Sequence, residues 1–218
     1  MNGRILARIN PALATFVTLF VTIDPIGTAP MFAALTANHA PAERRRTAVR
    51  GVAIAAGVLL GFALVGEFLL GALGIGLPAF RIAGGVLLLL LSIEMVMVRH
   101  SGLRTTTDSE ERESGQRADV SVFPLAIPLV AGPGAMTSVV LLMGAAGGDW
   151  GTMAFVLLEL VAVLAVTLLC FLGASRVQKW LGVTGVNVVT RVSGLLLAAL
   201  AVQFMLDGVG AALGGVQE

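Results

Sequence analysis

The sequence predicts an all-α membrane protein: six transmembrane helices arranged as two inverted three-helix repeats, with helices 1 and 4 broken. Three observations carry that expectation. Of 218 residues, 57% are hydrophobic and only 12% charged, about half the roughly 25% typical of a soluble domain. The mean hydropathy of +0.95 is concentrated in six apolar stretches, each near the roughly 20 residues needed to cross a hydrocarbon core. Two of those stretches carry clustered prolines and glycines, about 108 residues apart.

The first stretch, about 11–35, is too long for a secretory leader. Pro25 and Pro30 suit no leader core, so it is expected to remain as a membrane helix. The second, about 51–71, contains Ala53-x3-Gly57-x3-Gly61, a small-residue spacing suited to close helix packing. The third, about 78–98, opens on Arg81-Ile82-Ala83-Gly84. The fourth, about 121–146, holds Pro124, Pro128, Gly132, Pro133 and Gly134, and ends in Gly144-x3-Gly148. The fifth, about 151–173, carries Glu159 and Cys170. The sixth, about 184–206, opens near Arg191. Trp150 and Trp180 fall at the expected boundaries, where amphipathic rings settle. The 99–120 segment is mixed in charge and reads as a flexible cytoplasmic linker. It separates a first repeat, 1–98, from a second, 121–218.

Lys and Arg are unevenly distributed. Ten of them fall in the 1–2, 3–4 and 5–6 connections: Arg44, Arg45, Arg46, Arg50, Arg99, Arg104, Arg112, Arg117, Arg176 and Lys179. The opposite side holds Arg4 and Arg8. The positive-inside rule then places both termini on the extracytoplasmic side of a plasma membrane.

The two halves match at nearly one offset. Arg81 aligns with Arg191, Gly84 with Gly194 and Met95 with Met205. Gly74 aligns with Gly182, and Pro25 with Pro133. Three spans per repeat force the halves into opposite orientations, an arrangement found in many secondary transporters.

The breaks are the candidate site. They are Asp24-Pro25-Ile26-Gly27-Thr28-Ala29-Pro30 and Ala131-Gly132-Pro133-Gly134. Proline is excluded from a helix interior but fits the first position of a new helix, with Asp before it as a cap. Both prolines lie roughly 18–21 Å into their spans at 1.5 Å per residue. Each new half-helix presents N–H groups and a partial positive charge suited to a carboxylate. Thr28, Thr137 and Ser138 add hydroxyls, and Gly27, Gly132 and Gly134 leave backbone accessible. Substrate-binding candidates are therefore Asp24, Pro25, Gly27, Thr28, Gly132, Pro133, Gly134, Thr137 and Ser138. Asp24 either holds a ligand ammonium, carries a coupling proton, or only caps its helix. Glu159, deep in its span, is the other candidate for proton coupling; otherwise it pairs with Arg191 or a polar neighbour. Arg81 and Arg191 are assigned structural roles. Glu67, Glu94 and Asp207 lie near span ends, within reach of water or, for Glu67, of Arg81.

Other chemistries find no support. Cys170 is the single cysteine, and His39 and His100 stand isolated, so no disulfide, metal site or cofactor is expected. No basic patch is interleaved with aromatics for nucleic acid. No P-loop is present, so ATP-driven transport would need another chain. No nucleophile–base set or intramembrane histidine suggests an enzyme. The implied partners are the lipid bilayer and a small zwitterionic substrate; a homo-oligomer is left open.

The segments Asp24-Pro25-Ile26-Gly27-Thr28-Ala29-Pro30-Met31-Phe32 and Pro124-Leu125-Ala126-Ile127-Pro128 through Met136 resemble the two signature segments of the MarC family. The resemblance spans essentially the whole chain, including the Arg-x-x-Gly start of spans 3 and 6. It implies a bacterial or archaeal inner-membrane protein, and some members are described as transporters of small neutral amino acids such as glycine and alanine. Many members carry Asn where this chain has Asp24. The expectation is thus a secondary transporter. A passive channel, an exporter of other small metabolites, or a membrane scaffold are the competing readings.

Overall fold

A computed structural model describes residues 11–97 and 120–214 of the chain. Residues 98–119, which hold most of the linker and its charges, lie outside the described residues, as do Arg4 and Arg8. Every regular element among the described residues is helical. Helix α1 runs Pro11–Ile23 and α2 runs Pro25–Leu35, so that only Asp24 interrupts a span covering Leu13–Leu35. Then follow α3 (Pro41–Ala72), α4 (Leu77–Met97), an irregular π-type segment α5 (Ser121–Val130), α6 (Pro133–Ala145), α7 (Trp150–Leu172) and α8 (Ala174–Gly214). Five spans are long and apolar enough to cross a membrane. The pair α5–α6, bent by 56°, makes a sixth if counted as one crossing.

The element ends follow local chemistry. Pro41, Pro25 and Pro133 each occupy the first turn of their helices, where the missing N–H costs no intrahelical bond. Helix α7 starts where the Asp149 carboxylate accepts hydrogen bonds from the Thr152 amide (2.8 Å) and hydroxyl (2.6 Å). The α3–α4 turn passes through Gly74 at φ 70°, and α8 is interrupted at Gly182 at φ 62°. Helix α3 is longer than its apolar stretch: residues 41–50, with four arginines, continue it outward as one helix. Likewise α8 begins, before Gly182, with a helical stretch from Ala174.

Close approaches at glycines fix the helix directions. A Cβ on Gly85 would fall 2.7 Å from the Ala201 carbonyl oxygen, and one on Gly194 2.9 Å from the Met95 Cβ. One on Gly208 would meet Ile82 and the Pro78 carbonyl at 2.8 Å. Numbers rise on α4 as they fall on α8, so the two are antiparallel, and theirs is the most extensive pairing in the described structure. Gly51 abuts Leu125 and Gly66 abuts Val140, so α3 runs parallel to α5–α6. The Arg44 Nη1 donates to Ser175 Oγ at 3.1 Å. That bond brings the start of α3 and the start of α8 to one end of the molecule.

Not every small-residue spacing packs. Gly144 meets Leu77, but nothing lies within 4 Å of a Cβ placed on Gly57 or Gly61. The Ala53–Gly57–Gly61 stripe, expected to pack against a neighbouring helix, is exposed on the outside of the described structure.

Candidate functional site

Asp24 is the pivot of the first break. It sits at φ 53° and ψ 64°, a left-handed conformation that Asp tolerates better than most residues. Its N–H donates to Phe20 O (2.9 Å), closing α1. Its carbonyl accepts from the Thr28 amide (3.0 Å) and hydroxyl (2.8 Å), opening α2. Its Oδ1 accepts from the Gly27 amide at 3.1 Å. The residue is 2% exposed. A Cβ on Gly27 would collide with the Asp24 carboxylate, so this carboxylate position requires glycine three residues on.

The second break is built differently. Phe123 and Ile127 are extended ahead of Pro124 and Pro128, and both X–Pro bonds are cis. Amides bond five residues back, Leu125 to Val120 at 3.3 Å and Ala131 to Ala126 at 2.8 Å. Gly132, extended at φ −78° and ψ 169°, precedes Pro133 with no side-chain cap. The first amides of α6 therefore have neither an intrahelical partner nor an Asp24-like carboxylate beside them.

The core brings the breaks together. Ile23 and Ala29 from the first, and Val130, Ala131 and Ala135 from the second, belong to one cluster of buried apolar side chains. Beside it lies a small, partly open cavity lined by Thr22 of α1, Leu87 and Leu91 of α4, Leu129 of α5, and Gly132 through Ala135. Its volume is about 10 Å³, room for about one water. Of the sequence-based candidates, Gly132, Pro133 and Gly134 line this cavity. Asp24, Pro25, Gly27 and Thr28 lie just beyond Thr22 in the chain without lining it. Thr137 packs against Gly84 instead.

Thr22, Leu87, Leu91 and Leu129 are not among the sequence-based candidates. Thr22 donates to Thr18 O at 2.8 Å and Leu19 O at 3.2 Å. A hydroxyl so satisfied within its own helix leaves no mark in sequence. The lining leucines are indistinguishable from other leucines in a chain this apolar.

Among the described residues, the buried side-chain atoms without a hydrogen-bond partner include one on each of Ser138 and Glu159, inside α6 and α7. Ser138 is fully buried, and its Oγ has none; Glu159 is 9% exposed, and its Oε2 has none. Among the described residues no ion pair joins Glu159 to Arg191, which is exposed on α8. Arg81 is half-buried, with its Cβ packed 3.1 Å from the Cβ position of Gly208. The two arginines, equivalent by sequence offset, thus occupy different surroundings.

A family model described as "MarC family integral membrane protein" matches residues 9–213. The chain is 38% identical over 202 residues to a UPF0056 membrane protein of Methanocaldococcus jannaschii, covering 92% of this chain and 97% of that one. It is 34% identical to the UPF0056 membrane protein YvbG of Bacillus subtilis, covering 86% and 88%. Against the UPF0056 membrane protein YhcE of Escherichia coli it is 33% identical, covering 89% of each. No solved structure matches. The chain belongs to the MarC family of integral, multi-pass membrane proteins, found in bacteria and archaea.

Proposed function

We propose that this MarC-family chain is a secondary transporter of small neutral amino acids, of glycine or alanine size, across the inner membrane by alternating access. It moves its substrate without chemically altering it. The observation that carries the reading is the juxtaposition of two interrupted spans in one core, beside a small cavity lined by the glycine-rich start of a helix. Irregular backbone at membrane depth is tolerable only where it is buried or lines a cavity. The start of α6 suits a carboxylate, and the cavity, with room for about one water, takes even a small amino acid only when the helices around it move apart. Asp24 and Glu159 are the groups proposed to bind the substrate amine or carry a coupling proton.

The inverted-repeat reading has structural support. Gly74 and Gly182, paired at an offset of 108 in sequence, both adopt positive φ. The α4–α8 contacts match the repeat only in part: Gly194 meets Met95 and Gly85 meets Met205, the residue equivalent to Met95, whereas Gly84, the equivalent of Gly194, packs on Thr137. An in-plane two-fold axis relates equivalent helices in antiparallel fashion, as these are. Rocking one repeat against the other would open the cavity alternately to each side. In this reading the arginine-rich end, tied by the Arg44–Ser175 bond, is cytoplasmic, and both termini are extracytoplasmic.

Thermal unfolding of the purified protein with a panel of amino acids tests substrate binding. Glycine or alanine should raise the midpoint for the parent protein and not for Gly132→Leu. Equal responses of the two proteins, or a response confined to large apolar amino acids, would contradict the reading.

A further inference from the structure

We propose that the outer face of α3 is a binding site for an anionic phospholipid, with the phosphate among Arg45, Arg46 and Arg50 and one acyl chain along Ala53, Gly57 and Gly61. Two separate features meet there. The first is an open pocket of about 360 Å³ lined by Ala42, Arg45, Arg46, Val49 and Arg50. The second is the exposed stripe in which nothing lies within 4 Å of a Cβ at Gly57 or Gly61. At 100° per residue, positions 46, 50, 53, 57 and 61 fall within an arc of roughly 80°, so Arg46 and Arg50 stand in line with the stripe, with Arg45 to one side of it. From Arg50 to Gly61 is about 16 Å along the axis, close to one leaflet's share of a core about 30 Å thick.

The depth is that of headgroups. The Arg44–Ser175 bond places this end of α3 beside the start of α8, which carries Trp180 at 90% exposure. An exposed Trp marks the membrane–water interface. Arginine is suited to phosphate through its fork of donors, and basic pockets at the cytoplasmic face select anionic headgroups. A second copy of the chain is disfavoured on charge. Two copies related by an axis along the membrane normal would meet stripe to stripe, bringing Arg46 and Arg50 against their counterparts. A phosphate neutralises that charge; another α3 adds to it.

The test is thermal unfolding of the full chain in neutral detergent with phosphatidylglycerol, phosphatidylcholine or soluble glycerol phosphate added. Phosphatidylglycerol should raise the midpoint by about 4 °C more than phosphatidylcholine does, and glycerol phosphate should have no comparable effect. Arg45→Gln/Arg46→Gln/Arg50→Gln should abolish that difference, and the corresponding triple lysine variant should retain most of it. Gly57→Leu/Gly61→Leu should abolish it with the arginines intact. Each comparison is made between lipids within one variant, so a general loss of stability cancels. Equal responses to the two lipids, a full response to glycerol phosphate, or persistence in the glutamine variant would overturn the proposal. So would quantitative disulfide linkage of two copies through Gly57→Cys in phosphatidylglycerol bilayers, which would assign the stripe to a second copy.

Discussion

Asp24 combines a left-handed backbone, a cap to Gly27 and near-complete burial. Asn shares its tolerance of that backbone and its capping geometry, so Asp24→Asn should change stability by less than about 0.5 kcal/mol. Asp24→Ala should cost about 2 kcal/mol or more, because cap and backbone tolerance are both lost. Under the transport reading the Asn variant nevertheless loses proton-driven uptake, which separates the charge's function from its fold. Ser138→Ala makes the complementary point. Its unpartnered hydroxyl contributes no hydrogen bond, so its removal should be neutral or stabilise by about 1 kcal/mol. A higher KM for substrate would then assign the hydroxyl to binding. At the start of α7, hydrogen bonds from the Thr152 hydroxyl and amide hold the Asp149 carboxyl below its usual 3.8. A lowered folded value means the cap's contribution is full above the unfolded pKa and is lost as pH falls through the folded one. Acid-unfolding profiles of the parent and Asp149→Asn should therefore converge below that range and diverge above it.

Helix α3 and the α4–α8 pair show how small residues divide between packing and exposure. Gly85 lets α8 backbone approach within 2.7 Å of its would-be Cβ, while Gly57 faces open space. Gly85→Leu should destabilise by about 1–3 kcal/mol, the usual cost of overpacking, whereas Gly57→Leu in phosphatidylcholine should leave the unfolding midpoint within about 1 °C. Nothing in the sequence separates the two glycines, because both stand in small-residue patterns and only the neighbour decides. The spans themselves were legible, since lipid demands long apolar runs. Their outward continuation at 41–50 was not: Arg44, Arg45, Arg46 and Arg50 end the apolar signal without ending the helix. The helix starts at Pro25 and Pro133 were legible because proline fits the first turn of a helix and few other helical positions. The cavity beside them was not, because its remaining walls, Thr22, Leu87 and Leu91, come from residues with no local signature.

At the scale of the whole molecule, the central claim is that two helix breaks serve one carrier cycle. Family membership and a multi-pass membrane fold follow from the full-length match and five or six apolar spans. Coupled transport requires more: an interior site that opens to each side in turn, and a titrating group that senses the gradient. Glu159, with a buried and unpartnered Oε2, is the group whose loss should matter most after Asp24. The most direct measurement is uptake of radiolabelled glycine and alanine into proteoliposomes, with and without an imposed proton gradient. Uptake should concentrate substrate only when the gradient is present and should collapse to equilibration in Glu159→Gln. Accumulation independent of the gradient, or no substrate-specific flux above protein-free liposomes, would contradict a coupled carrier.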